Sequence, residues 1–231
     1  MPLELEAITE AFGLAPTGDV DEGVRCGQVG PAEVTAIHIG MGPPATRTAL
    51  CRLFDGTSEG VPQPDHVMIA GICGGLDPSV DVGTVVNPEI VVDLTSGSEF
   101  VHRPPGSAPR SGKLLTVEEA TVDGERHREY LSRGFLAVDM ESAAVAEVCE
   151  ERGCPWSVFR CIGDRLVDGL LDDRVLAMTN PDGSGNPDEI ARLLAADPAL
   201  LGRLEQLGRD ATMAARRAAD AAFRGCQELV G

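Results

Sequence analysis

Short Val- and Ile-rich runs alternate along the chain with longer stretches whose apolar positions recur at helical spacing. Strands are predicted over Val34–Ile39, Val67–Ala70, Thr84–Val86, Ile90–Leu94 and Trp156–Ile162, each punctuated by Gly, Pro or Asp as buried strands are. Helices are predicted over Leu3–Phe12, Pro44–Leu53, Arg126–Leu131, Met140–Arg152, Pro187–Ala195 and Pro198–Leu229. The stretch from Met140 carries small or apolar residues at Met140, Ala143, Ala144 and Val148, which form one helical face, and Gly153 follows as its stop. Strand and helix in turn predict an α/β fold: a three-layer sandwich with a central mixed β-sheet flanked by helices.

Two segments break the pattern. Ser96–Lys113 is dense in Pro, Gly and Ser and reads as a surface loop, and Thr179–Asn186 reads as a shorter one. Neither divides the chain, and no internal repeat is found, so residues 1–231 are expected to form a single domain.

Composition narrows the function classes. Aromatics make up 3% of residues, so aliphatic side chains and Ala must fill the core. A formal charge of −18 argues against nucleic-acid partners, which need clustered Lys and Arg, and against anionic membrane surfaces. It reads as an ordinary solubilising surface. The seven cysteines are odd in number and include no Cys-x-x-Cys pair, so a reduced, cytoplasmic setting fits better than a disulfide framework or zinc site. The four histidines show no metal-ligand spacing, and neither a metal nor a cofactor is expected. No signal peptide and no membrane-spanning apolar run is found.

Three segments could carry chemistry. Ala70-Gly71-Ile72-Cys73-Gly74-Gly75-Leu76-Asp77-Pro78 follows a predicted strand and reads as a turn along which backbone can approach a ligand, but it is neither a P-loop nor a dinucleotide fingerprint. Val138-Asp139-Met140-Glu141-Ser142-Ala143-Ala144 places two acids where a loop enters a helix, and capping alone accounts for Asp139. Glu141, expected in the first helical turn beside Met140, is not accounted for that way. In Phe159-Arg160-Cys161-Ile162-Gly163-Asp164-Arg165, a strand ends in an Asp, at the end of the sheet where α/β folds bind ligands. Turn formation is the competing role for Asp164.

Together these segments resemble the nucleoside phosphorylase and nucleosidase superfamily, above all the 5′-methylthioadenosine/S-adenosylhomocysteine nucleosidases. The matching stretches are Gly40-Met41-Gly42-Pro43, Gly71 to Pro78 with Val82-Gly83-Thr84-Val85-Val86, Asp139 to Ala144, and Ile162-Gly163-Asp164, in the family's order. The resemblance implies cleavage of the N-glycosidic bond of a purine nucleoside. It makes Asp164 the acid at purine N7, Glu141 the carboxylate on the ribose hydroxyls, and Met140 and Met41 neighbours of the sugar. Ile72, Cys73 and Gly74 would line the site. Bond cleavage develops oxocarbenium charge on the sugar and negative charge on the base, so carboxylates near one and a proton at the other both lower the barrier.

The attacking group is water in one branch of the superfamily and phosphate in the other. Met1-Pro2-Leu3-Glu4 is similar to the run that supplies the water-positioning Glu of the hydrolases, which makes Glu4 the candidate base. Phosphorylases of bacterial type place an arginine just before the glycine turn, where this chain has Ala70 and Gly71. Hydrolysis is therefore favoured over phosphorolysis; a non-catalytic nucleoside-binding protein is a further alternative, and a Rossmann-type oxidoreductase fits worst. Two departures qualify the resemblance. The family has a strand ahead of the Met-x-x-Glu run, so the native chain is expected to start upstream of Met1. The family also stacks adenine on an aromatic within the segment that here runs from Thr116 to Gly124, which has none; Val122 supplies an apolar face instead. Asn180-Pro181-Asp182-Gly183 and the helical tail resemble hopanoid-associated members, which widens the range of 5′ substituents. A homodimer, or a larger homo-oligomer, is implied.

Overall fold

The computed structural model describes residues 1–16, 23–58, 61–102, 105, 112–180 and 183–230. In chain order the elements are α1 (Pro2–Phe12), β1 (Ala15–Pro16), β2 (Val24–Val29), β3 (Ala32–Ile37), α2 (Pro43–Phe54), β4 (Val67–Gly75), β5 (Val85–Val86), β6 (Ile90–Asp93), β7 (Glu99–Val101), β8 (Lys113–Thr116), α3 (Gly124–Ser132), β9 (Phe135–Asp139), α4 (Ser142–Arg152), β10 (Trp156–Arg165), α5 (Asp173–Leu176), α6 (Pro187–Ala196) and α7 (Leu200–Val230). Seven strands form a mixed sheet in the order β5-β10-β4-β9-β8-β6-β7, and β1-β2-β3 form a separate small sheet. The β10–β4, β8–β9 and β6–β8 pairs are parallel.

Side-chain alternation along the two central strands builds both helical layers. Ile69, Cys73, Val158 and Ile162 pack on one face against Leu50 and Leu53 of α2 and Val145 and Val148 of α4. Phe159, with Met68 and Ala70 beside it, packs on the other face against Phe12 of α1 and Ala222 and Cys226 of α7. The second face explains the composition of the tail. A Cβ at Gly225 would lie 2.4 Å from Phe159 Cζ, and Ala214, Ala218 and Ala219 are fully buried, so small residues let α7 lie close on the sheet.

The sandwich expected from the pattern is the one found, with differences that have physical reasons. The glycine segment is not a turn: β4 continues to Gly75, held by parallel pairing of Gly71 with Arg160 and of Gly75 with Arg165. Pairing to a neighbour overrides the weak strand preference of glycine. The hairpin β2–β3 is not predicted in its first arm, where Arg25, Gly27 and Gln28 blur the alternation. The stretch that reads as one loop contains β7 and, at Lys113, the start of β8; positions 103–104 and 106–111 of it lie outside the described residues, as do Pro181 and Asp182 of the second loop. Helix α4 begins at Ser142, so Met140 and Glu141 precede it rather than occupy its first turn.

Candidate active site

Strands β4, β9 and β10 end together beside one cavity of about 1040 Å³. Its lining includes all nine residues singled out above: Glu4 from α1, Met41 ahead of α2, Ile72, Cys73 and Gly74 from β4, Val122 ahead of α3, Met140 and Glu141 between β9 and α4, and Asp164 at the end of β10. Asp164 reaches the cavity because the β10–β4 register slips between Ile162 and Asp164, which re-aims the side chain at the strand end.

Three carboxylates converge on one guanidinium. Arg160 is buried, 3% exposed, and its donors are shared out: Nε to Asp139 Oδ2 at 2.8 Å, Nη2 to Glu141 Oε2 at 2.8 Å, and Nη1 towards Glu4 Oε1 at 3.9 Å. Burial opposes the charge on Arg160, but Asp139, Glu141 and Glu4 together hold its pKa above the ordinary value. Asp139 is anchored in turn by the Thr116 hydroxyl at 2.7 Å and by the Ser142 hydroxyl, while Thr116 Oγ1 accepts the Ala143 N–H at 2.9 Å. Asp139 thus ties β8, β9, β10 and the start of α4 together. The capping role expected of Asp139 is one part of what it does.

Glu141 and Glu4 occupy the half-buried rim of this network, where it faces the cavity. Glu141 Oε1 accepts the N–H of Gly42 at 2.9 Å, where a φ of 88° turns the chain into α2. Burial raises the Glu141 pKa, against the pull of Arg160. Glu4 Oε1 accepts the N–H of Ile72 at 2.7 Å, and its Oε2 takes the Met1 ammonium. Asp164 stands apart from the guanidinium; burial, with Asp168 nearby, lifts its pKa to about 6. Burial also pushes the Cys73 thiol well up, which removes it as a nucleophile. Near Val122, His127 Nε2 donates to Thr121 O at 2.9 Å and fixes the turn that carries Val122.

Arg160 and Thr116 are not singled out by the sequence pattern. A signal for Arg160 is nonetheless present: a charged side chain inside an otherwise apolar strand must be paired. Gly71 gains a role that a turn would not give it. A Cβ there would lie 2.2 Å from Glu4 Oε1 and 2.7 Å from Arg160 Nη1, so a bare backbone is what admits both groups. Gly71→Ala is expected to displace Glu4 and cut turnover by about 10²-fold, the scale on which a 1 Å misplacement acts. Turnover at the wild-type rate in the Gly71→Ala variant would show that Glu4 is not held this way.

Comparison with known proteins identifies the family. The model of the phosphorylase superfamily matches residues 1–123 and 109–195. The chain belongs to the phosphorylase superfamily. Within it, the chain is similar to the 5′-methylthioadenosine/S-adenosylhomocysteine nucleosidase of Tolumonas auensis, 26% identical over 169 residues covering 60% of this chain and 71% of that one. It is likewise similar to the protein of the same name from Pseudoalteromonas translucida, 29% identical over 168 residues covering 60% and 69%. Superfamily members of known structure share the fold. The nucleosidase of that name from Colwellia psychrerythraea, solved with adenine, aligns at a TM-score of 0.69 and 19% identity over 99% of this chain and 92% of that one. Futalosine hydrolase of Helicobacter pylori aligns at 0.64 and 18% over 100% and 94%.

Proposed function

We propose that this protein is a nucleosidase that hydrolyses the N-glycosidic bond of a purine nucleoside, a 5′-substituted adenosine such as 5′-methylthioadenosine or a related compound. Asp164, protonated, donates to purine N7 and makes the base a better leaving group. Glu141 holds the ribose hydroxyls, with Met140 and Met41 against the sugar and Ile72, Cys73, Gly74 and Val122 lining the pocket. Glu4 positions and deprotonates the attacking water. Both carboxylates also face the oxocarbenium charge as it develops. Leu171, Val175 and Leu176 line the same cavity and suit an apolar 5′ substituent.

The observation that carries the choice of water is the pairing of Arg160 with carboxylates, its Nε bonded to Asp139 and its Nη2 to Glu141. Arg160 is the sole Lys or Arg among the described residues lining the cavity, and its guanidinium faces three carboxylates. A phosphate seat needs free cationic donors, whereas this surround favours a neutral nucleophile. The superfamily resemblance further supports a cytoplasmic homo-oligomer, and the described residues include no helix long and apolar enough to cross a membrane.

Purine nucleosides are assayed for base release with and without inorganic phosphate, and the sugar product is identified. Free ribose, formed at a rate independent of phosphate, is the expected result; ribose 1-phosphate formed only with phosphate would mean phosphorolysis. Glu4→Gln is expected to lower kcat by about 10²–10⁴-fold, the range for a general base, with a smaller change in KM. An unchanged kcat in that variant would remove Glu4 from the mechanism.

A further inference from the structure

Asp164 is aimed into the cavity by its backbone. Glu141 is held by the Gly42 N–H and Arg160, and Glu4 by the Ile72 N–H. Among the described residues, none donates a hydrogen bond to the Asp164 carboxyl. Its direction therefore depends on whatever fixes the strand end that carries it. Gly163 is the extra residue of the slip in β10, since Ile162 stands opposite Cys73 and Asp164 opposite Gly74. The upstream side is secured: Ile162 N–H donates to Thr84 O at 3.0 Å, and Ile162 O accepts the Gly83 N–H at 2.7 Å. Downstream, Asp164 and Arg165 face Gly74 and Gly75, which have no side chains to grip them. A strand that slides by one residue turns its side chains to the opposite face, so this end needs a separate hold.

Arg165 supplies one. It follows Asp164 along the strand and turns its side chain the other way. Its stem crosses the bare backbone of Gly75, where a Cβ would lie 3.0 Å from Arg165 Cγ. Its Nε and Nη2 donate to Asp168 Oδ2 and Oδ1 at 3.0 and 2.8 Å. Its Nη1 donates to Pro78 O and Val80 O, each at 3.2 Å, with Asp81 Oδ1 at 3.5 Å. Both anchors are braced. Asp168 ends the single 3₁₀ turn Leu166–Asp168, which Gly169 closes with a φ of 67°. Val80 N–H donates to Asp77 O at 3.1 Å, and the Asp77 carboxylate takes the Ser79 N–H and hydroxyl at 2.8 and 2.7 Å. The Arg165 side chain is 18% exposed, and its two parallel bonds to one carboxylate fix its plane as a single surface contact does not.

We propose that Arg165 is the positioning residue for Asp164: by bridging Asp168 to the Pro78 and Val80 carbonyls, it holds the slipped strand end in the register that points Asp164 into the cavity. The use made of Asp164 there rests on the nucleosidase reading, whereas the placement of its carboxyl does not. The guanidinium joins the chain that follows Asp164 to the chain that follows β4, across two glycines that offer no other side-chain grip.

The test titrates the Asp164 carboxyl by NMR in chain isotope-labelled at the Asp carboxyl carbons, its signal assigned by its absence from Asp164→Asn. It needs no nucleoside, so its failure is separate from failure of the nucleosidase reading. In the wild type the midpoint lies at about 6. Arg165→Met removes a positive charge and leaves Asp168 unpaired, and both effects push the midpoint up. A strand end released into water brings it down towards 3.8 instead. The downward shift is expected, with kcat for base release lowered by about 10²-fold and KM changed much less. Arg165→Lys keeps the charge but not the fork, and it is the arm to read if the Met variant does not fold. A smaller shift in the same direction is expected there. The proposal is overturned if the midpoint of either folded variant is unmoved or raised, whatever its activity, or if it falls while kcat stays at the wild-type value. If the wild type releases no base, the midpoint alone decides.

Discussion

Asp164→Asn should lower kcat by about 10²–10⁴-fold, the range of general acid catalysis, while nucleoside affinity changes by much less. Asn keeps the shape of the side chain and can still donate through its amide, but it has no proton to give up to N7. In the wild type, the Asp164 pKa of about 6 makes the active form the protonated one, so kcat/KM should fall as pH rises through about 6. The same shift has a consequence for stability. Because the folded-state pKa lies above the ordinary value of 3.8, the folded chain binds this proton more tightly than the unfolded chain does. The stabilisation is complete below 3.8 and is lost as pH rises through about 6. Above that, a gap of about two pH units corresponds to a ceiling of about 3 kcal/mol, and access of cavity water to Asp164 reduces it to about 1–3 kcal/mol. Asp164→Asn should therefore melt higher than the wild type at about pH 8 and at the same temperature near pH 4. A variant that is inactive but no more stable at pH 8 would mean that the carboxyl is not strained by burial. An active variant would remove Asp164 from the chemistry.

What can be read from the sequence follows how local the information is. The helices α1, α2, α4, α6 and α7 are legible because their apolar faces recur within a few residues, and so are the cores of β4 and β10. The continuation of β4 through Gly71 to Gly75 is not, because its cause is the neighbouring strand, 85 or more positions further on, to which each of those glycines is paired. Arg160 shows the same limit at the site. The sequence has no arginine immediately before the glycine segment, yet a guanidinium lies 2.7 Å from where a Gly71 Cβ would stand, delivered by β10. Sequence position does not show this, because the partner comes from across the sheet. The guanidinium that is present is bonded to Asp139 and Glu141.

That commitment gives the second large prediction. Arg160→Met keeps an unbranched apolar stem, shorter than that of Arg, and removes the charge from the centre of three carboxylates. Breaking a buried pair by deleting one partner costs about 3–5 kcal/mol, because the remaining charge is left uncompensated in a place from which water is excluded. The deficit should depend on pH with a definite sign. Without the guanidinium, Asp139 and burial together oppose ionisation of Glu141, so its folded-state pKa, already raised, rises further. The folded variant then binds a proton that the unfolded chain releases, and its stability falls as pH rises through that raised value. Urea unfolding at about pH 7.5 should show the full loss, and at about pH 5 a clearly smaller one. An equal deficit at both pH values would mean that Arg160 acts through packing alone. Arg160→Lys separates charge from geometry: one ammonium can neutralise the cluster but cannot reach Asp139, Glu141 and Glu4 in the way a planar fork does. It should recover most of the pH-dependent stability and little of the turnover, because Glu141 would still lack the donor that orients it. Recovery of both by Lys would reduce the role of Arg160 to a counter-charge.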